Sequence, residues 1–85
     1  MHIEASNTFI KLYRKLDNKM KKQVKNALIC LKNNPFHPSL GNKKINGQKS
    51  IYEIRVSKNY RITYTKIKNV AILRKVGNHD VLNKP

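Results

Sequence analysis

The sequence predicts an α+β fold, with an N-terminal strand and a helical hairpin packed on one face of a three- to four-stranded, largely antiparallel sheet. Three observations predict it. Apolar residues recur at helical spacing from Phe9 to Leu31, they alternate with polar ones from Ile51 to Val76, and short polar turns punctuate the second region. The 85 residues make one domain, 1–85, with a modest core. No composition shift or internal repeat divides it.

His2 to Ala5 reads as a short first strand, and Ser6 or Asn7 as the N-cap of the helix that follows. Phe9, Leu12, Tyr13 and Leu16 place one apolar stripe on that helix, with Lys11, Arg14 and Lys15 on its other side. Asp17 or Asn18 restarts the helical signal. Met20, Val24, Ala27, Leu28 and Leu31 then form a longer stripe, so a tight corner joins two amphipathic helices into an αα-hairpin. Cys30 lies inside the second helix and reads as packing. It is the single cysteine, which excludes an internal disulfide and suits a reducing compartment. The second helix ends by Asn33-Asn34-Pro35, because proline disfavours helix in the residue before it.

Pro35 to Asn42 is an irregular loop stiffened by Pro35 and Pro38. Lys43 to Asn46, Ile51 to Val56, Tyr60 to Lys66 and Val70 to Val76 read as extended runs of a meander, with Gly77 ending the last and leaving Asn78 to Leu82 as a terminal segment. Within the central hairpin, Tyr52, Ile54, Val56, Tyr60, Ile62 and Tyr64 share the face that the helices cover. Glu53, Arg55, Arg61 and Thr63 then share the opposite face, predicted to carry no helix. In the last strand, either Ala71, Leu73 and Lys75 or Val70, Ile72 and Arg74 join that open face. An arginine-bearing sheet face is a candidate phosphate surface.

Charge points the same way. Lys and Arg number 19 against 4 Asp and Glu, a net charge of +15, and 8 of the cations precede Pro35 while 11 follow it. A field spread over the whole surface favours polyanions such as RNA, DNA or the ribosome, or an acidic protein partner. The N-terminal residues MHIEASN carry no secretion signal, and the longest apolar run, Ala27 to Leu31, is too short to cross a membrane. A cytoplasmic protein without a membrane partner is expected. His2, His37 and His79, one cysteine and 4 carboxylates offer no metal-ligand spacing, and there is no Gly-rich phosphate loop, so neither metal nor cofactor is expected.

The order of elements, the hairpin IYEIRVSKNYRITY and the closing KVGNHDVL together resemble the RelE/ParE superfamily of bacterial toxins from toxin–antitoxin pairs. Within it, the G-x-H-x-x-L ending is most similar to the YafQ-type branch of messenger-RNA endonucleases. The resemblance covers nearly the whole chain and is specific at the hairpin and the ending. It implies a cytoplasmic endoribonuclease that cuts mRNA, in the RelE and YafQ branches while the message is being translated in the ribosomal A site, and that a cognate antitoxin, small and acidic, silences in a hetero-oligomer. Arg61 falls on the arginine that contacts the scissile phosphate in the ribonuclease members, and His79 on the C-terminal histidine that the YafQ-type branch uses for proton transfer. Lys43, Lys44 and Arg55 lie where basic residues of the family contact RNA, and Lys49, Lys58 and Lys75 are further RNA-binding candidates. The chain departs from the RelE pattern in having no tyrosine beyond Tyr64, which leaves the general base open.

Metal-free RNA cleavage needs a base for the 2′-OH, a cation for the charge that builds on phosphorus, and an acid for the leaving 5′-oxygen. Arginine suits the second task, because it is permanently charged and grips two phosphate oxygens. Arg61, backed by Arg55 or Arg74, can perform it. Histidine suits the first or third, because imidazole gives and takes protons near neutral pH. His79 is the first choice, with Asp80 beside it to orient the ring; His37 and Glu53 are further proton-transfer candidates. Two other readings of the same scaffold stay open: a ParE-like, non-enzymatic inhibitor of DNA gyrase, and an inactive member that only binds nucleic acid or an antitoxin.

Overall fold

The computed structural model describes residues 1–47 and 49–85. Along the chain run β1 (His2–Ala5), α1 (Asn7–Arg14), α2 (Asn18–Asn33), a 3-10 turn (Pro38–Leu40), β2 (Lys43–Lys44), β3 (Ile51–Arg55), β4 (Tyr60–Ile67), β5 (Val70–Asn78) and a second 3-10 turn (His79–Asn83). Both helices start where a side chain satisfies an otherwise unpaired amide. Ser6 Oγ accepts from Phe9 N at 3.1 Å, and Asp17 Oδ1 accepts from Met20 N at 2.7 Å.

The sheet has five strands in the order β1-β5-β4-β3-β2. It exceeds the expected three to four because β1 and the two-residue β2 both bond onto its margins. β1 runs parallel to β5, in the register His2↔Val70 to Ala5↔Leu73, and the other pairs are antiparallel. The hairpin register is Tyr52↔Tyr64, Ile54↔Ile62 and Arg55↔Arg61, which puts the apolar members on the helical side. There Phe9, Val24, Ala27 and Leu31 of the helices bury Ile54, Ile62, Tyr64, Ala71, Leu73 and Val76 in one core. Ile54 and Ile62 face each other fully buried, and truncating either to alanine costs about 2–5 kcal/mol.

Three features differ from the sequence reading. Gly77 does not end the last strand: β5 continues through it, pairing Gly77 with Arg61 and Asn78 with Tyr60. The choice between Arg74 and Lys75 also dissolves. The register shifts between Thr63 and Tyr64, whose partners are Lys75 and Leu73, so Arg74 is the extra residue of a β-bulge. Val70 and Ile72 precede that shift on the outer face and Lys75 follows it there. Arg74 reaches the same side, where it bonds Thr65 Oγ1 at 3.2 Å. Finally, the outer face is not open. Thr63 is fully buried and Glu53 nearly so, because the terminal segment folds back over β4 and β5 and seats Pro85, itself buried, against them. Thr63 Oγ1 donates to Pro85 O at 3.1 Å.

Candidate active site

The hairpin turn after β3 is the best-organised part of the basic surface. Arg55 and Arg61 face each other across the strands, where like charges repel, and their guanidinium groups part company. Arg61 turns back on its own hairpin: Nη1 donates to the main-chain oxygens of Ser57 at 2.9 Å, Tyr60 at 3.0 Å and Lys58 at 3.2 Å. One guanidinium nitrogen thus ties the turn, and among the described residues Nε and Nη2 make no hydrogen bond within the chain. Arg55 points the other way. Its Nη2 lies 3.6 Å from where a Cβ on Gly41 would stand, so it leans on the loop after α2. Gly41 suits this position with its left-handed backbone, φ 53°.

Strand pairing carries His79 to the same end of the sheet. With Gly77 opposite Arg61 and Asn78 opposite Tyr60, the next residue emerges beside the hairpin turn. His79 is exposed and lines a depression of about 460 Å³ with Asn59, Tyr60, Asn78 and Asp80. Asn78 Oδ1 accepts from Asp80 N at 3.0 Å and caps the terminal 3-10 turn, which fixes the main chain on which both His79 and Asp80 sit. An imidazole and a guanidinium edge therefore flank one end of the hairpin.

The remaining candidates are placed as follows. Arg74 Nε donates to Pro85 O at 3.1 Å and Lys75 Nζ to Lys84 O at 2.7 Å. Both cations thus hold the terminal segment that bears His79. Glu53 is all but buried between Lys43 of β2 and Thr63 of β4, not at the turn. His37 is engaged in its own loop: Nδ1 accepts from Ser39 N at 3.1 Å and bonds Ser39 Oγ at 2.8 Å. Lys43 and Lys44 are exposed on the marginal strand β2, Lys49 shares a depression with Lys44, and Lys58 is exposed on the hairpin turn. Among the described residues, no group of three or more His, Cys, Asp or Glu is placed to hold a metal ion.

Sequence reasoning missed the link that anchors the loop between α2 and β2. Tyr64 donates its hydroxyl to Asn42 Oδ1 at 2.7 Å, and Asn42 Nδ2 donates to Pro35 O at 2.9 Å. Burial pushes the Tyr64 phenol up from its ordinary value, against the opposing pull of the Asn42 hydrogen bond. No local pattern signals this pair, because its members are 22 residues apart.

No family model and no curated protein matches the sequence. Solved structures do match. The chain is similar to a chain of the RelB–RelE antitoxin–toxin complex from Methanococcus jannaschii, with 26% identity, a TM-score of 0.76 and 95% of each chain covered. It is similar to a chain of the E. coli RelBE toxin–antitoxin complex, with 25% identity, a TM-score of 0.72 and coverage of 91% of this chain and 94% of that one. The E. coli DinJ–YafQ complex shares the fold at 18% identity and a TM-score of 0.78, over 94% of this chain and 93% of the other. The fold thus recurs over nearly the full length in RelE chains 25–26% identical to this one, and on that ground the chain belongs to the RelE/ParE toxin superfamily.

Proposed function

We propose that this chain is the toxin of a type II toxin–antitoxin system and acts in the cytoplasm as a metal-independent endoribonuclease on mRNA, dependent on the ribosome, in the manner of the YafQ-type branch. The observation that supports the reading is the strand register, which pairs Arg61 with Gly77 and Tyr60 with Asn78 and so brings the exposed His79 to the end of the sheet where the Arg61 side chain ties the hairpin turn. Arg61 neutralises the charge that builds on the scissile phosphate. His79 transfers a proton to or from the ribose or leaving oxygen, with Asp80 orienting it. Lys58 on the turn and Lys43, Lys44 and Lys49 along the β2 side hold the flanking phosphates; the net charge of +15 supports such binding. The partner is an antitoxin, small and acidic to complement the net charge of +15; in the complexes just described RelE is bound with RelB and YafQ with DinJ.

The test is induction of the chain in growing bacteria, with primer extension on a translated message. Discrete new 5′ ends and growth arrest, both lost in His79→Ala, support the reading. Arrest without RNA cleavage, accompanied by inhibition of gyrase supercoiling by the purified chain, would replace it with the ParE-like one. RNA binding without cleavage or arrest would mark an inactive member.

A further inference from the structure

The second 3-10 turn, His79–Asn83, has little of its own to hold it in place. It buries none of its residues, and 3-10 geometry makes poor hydrogen bonds over runs longer than three or four residues. Its position therefore depends on what grips its two ends. The near end grows out of β5, where the Asn78 side chain accepts from Asp80 N and Val81 lies over Gly77, its Cβ 3.7 Å from where a Cβ on that glycine would stand. The far end runs into a clamp. Thr63 Oγ1 and Arg74 Nε both donate to Pro85 O at 3.1 Å, and Lys75 Nζ donates to Lys84 O at 2.7 Å. Thr63 is fully buried, so its hydroxyl is out of reach of solvent and would be left unsatisfied if Pro85 moved away, which is unfavourable.

The bulge in β5 makes this clamp possible. In a regular strand consecutive side chains point to opposite faces, and Arg74 and Lys75 could not both reach the terminal main chain. The extra residue at Arg74 brings both to the outer face, where they meet two consecutive carbonyl oxygens. Bulges beside functional sites re-aim side chains in this way. Arg74 is braced in turn, since its Nη1 bonds Thr65 Oγ1 at 3.2 Å.

We propose that Arg74 and Lys75, together with Thr63, are positioning residues for His79: they hold the far end of its turn, so that the imidazole stays at the hairpin end that bears Arg61. The catalytic consequence rests on the nuclease reading, whereas the clamp itself does not. The rival role for the same two cations is direct contact with RNA phosphates.

The test uses the full chain as Arg74→Met, Lys75→Met, the two combined, and Lys75→Arg. Methionine keeps an unbranched stem on the strand and removes the donors. Hydrogen exchange and the NMR signals of the His79 imidazole read its placement without any substrate. In the double variant the amides of residues 80–84 should exchange at least about tenfold faster, the factor that hydrogen bonds from charged donors supply. The imidazole signals should shift, while the amides of β3 keep their rates. Lys75→Arg retains charge and donor, and should recover most of what Lys75→Met loses. Cleavage of a ribosome-bound message then separates kcat from KM. The double variant should lose about tenfold to a hundredfold in kcat, the scale of a misplaced group, with KM altered less. Unchanged exchange and imidazole signals, or acceleration spread evenly over the chain, would overturn the clamp. A freed segment with parental kcat would overturn the positioning role, and a loss confined to KM would return both cations to RNA binding. If the parent chain cuts no RNA, the nuclease reading falls, and exchange and imidazole signals still decide whether the clamp places His79.

Discussion

Replacing Arg61 tests two roles at once, because the structure gives its guanidinium two edges. Nη1 carries two hydrogens and meets three carbonyl oxygens of the hairpin turn at 2.9–3.2 Å, so it satisfies two of them at a time. Hydrogen bonds at a part-buried site contribute about 1 kcal/mol each, and Arg61→Ala should therefore lose about 1–2 kcal/mol of stability. For a chain of this size each kcal/mol lowers the melting temperature by about 4–8 °C. The variant should melt early yet remain folded at 25 °C. Loss of a preorganised group that stabilises transition-state charge costs about 10²–10³ in rate, so cleavage should fall by that factor under conditions where the variant is still folded. Arg61→Lys keeps the charge but lacks the fork, and should recover part of the stability and little of the rate. Melting curves and cleavage of a translated message, run on the same preparations, read the two roles separately. Wild-type cleavage by a destabilised Arg61→Ala would refute the phosphate role. Unchanged melting would refute the turn lock.

Tyr64→Phe should cost about 1 kcal/mol through the lost bond to Asn42. The raised phenol of Tyr64 also gives a signed pH effect: the unfolded chain ionises first, so its stabilising contribution is complete below about pH 10 and is lost as pH rises through the higher folded value. The stability gap between parent and Tyr64→Phe, measured in denaturant, should therefore shrink above that pH; a constant gap contradicts it. Thr63→Val removes the hydroxyl held by Pro85 O and should speed hydrogen exchange of residues 79–84 without altering that of β3, and uniform acceleration would show a general loss of stability instead. His37→Ala should remove the cap of the Pro38–Leu40 turn, lower stability by about 0.5–2 kcal/mol and leave cleavage untouched; a large loss of rate would bring His37 into the chemistry.

How much was legible depends on how far apart the cooperating residues lie. The helix starts at Ser6 and Asp17 are local, since each cap reaches an amide three residues on. The pairing of Arg55 with Arg61 follows from a period of two and a short turn. The bulge at Arg74 was not legible, because a two-against-one count is a property of the hydrogen-bond ladder and leaves no mark on a single strand. Nor was the cover over the outer face, which depends on Pro85 meeting Thr63 across 22 residues. At the candidate site the positions of Arg61 and His79 on their elements could be read from the chain. The use of Arg61 Nη1 on its own turn, and of Arg74 and Lys75 on the terminal main chain, could not. In each case a cation that looked free for RNA spends donors on carbonyl oxygens whose positions only the folded backbone sets.

The parallel seam between β1 and β5 has a consequence in time. Ser6 at the end of the first strand bonds Arg74 of the last across a separation of 68 residues, a long-range closure of the kind that slows folding. During synthesis the first strand and both helices leave the ribosome with no partner for that edge, and the core that Leu73 and Val76 complete stays unfilled. The hairpin that holds Arg61 acquires its second neighbour, and His79 its place beside the turn, only when β5 has emerged. On the proposed reading, the ribosome that makes this protein meets a competent nuclease only after β5 has emerged, and that interval is available for an antitoxin to arrive.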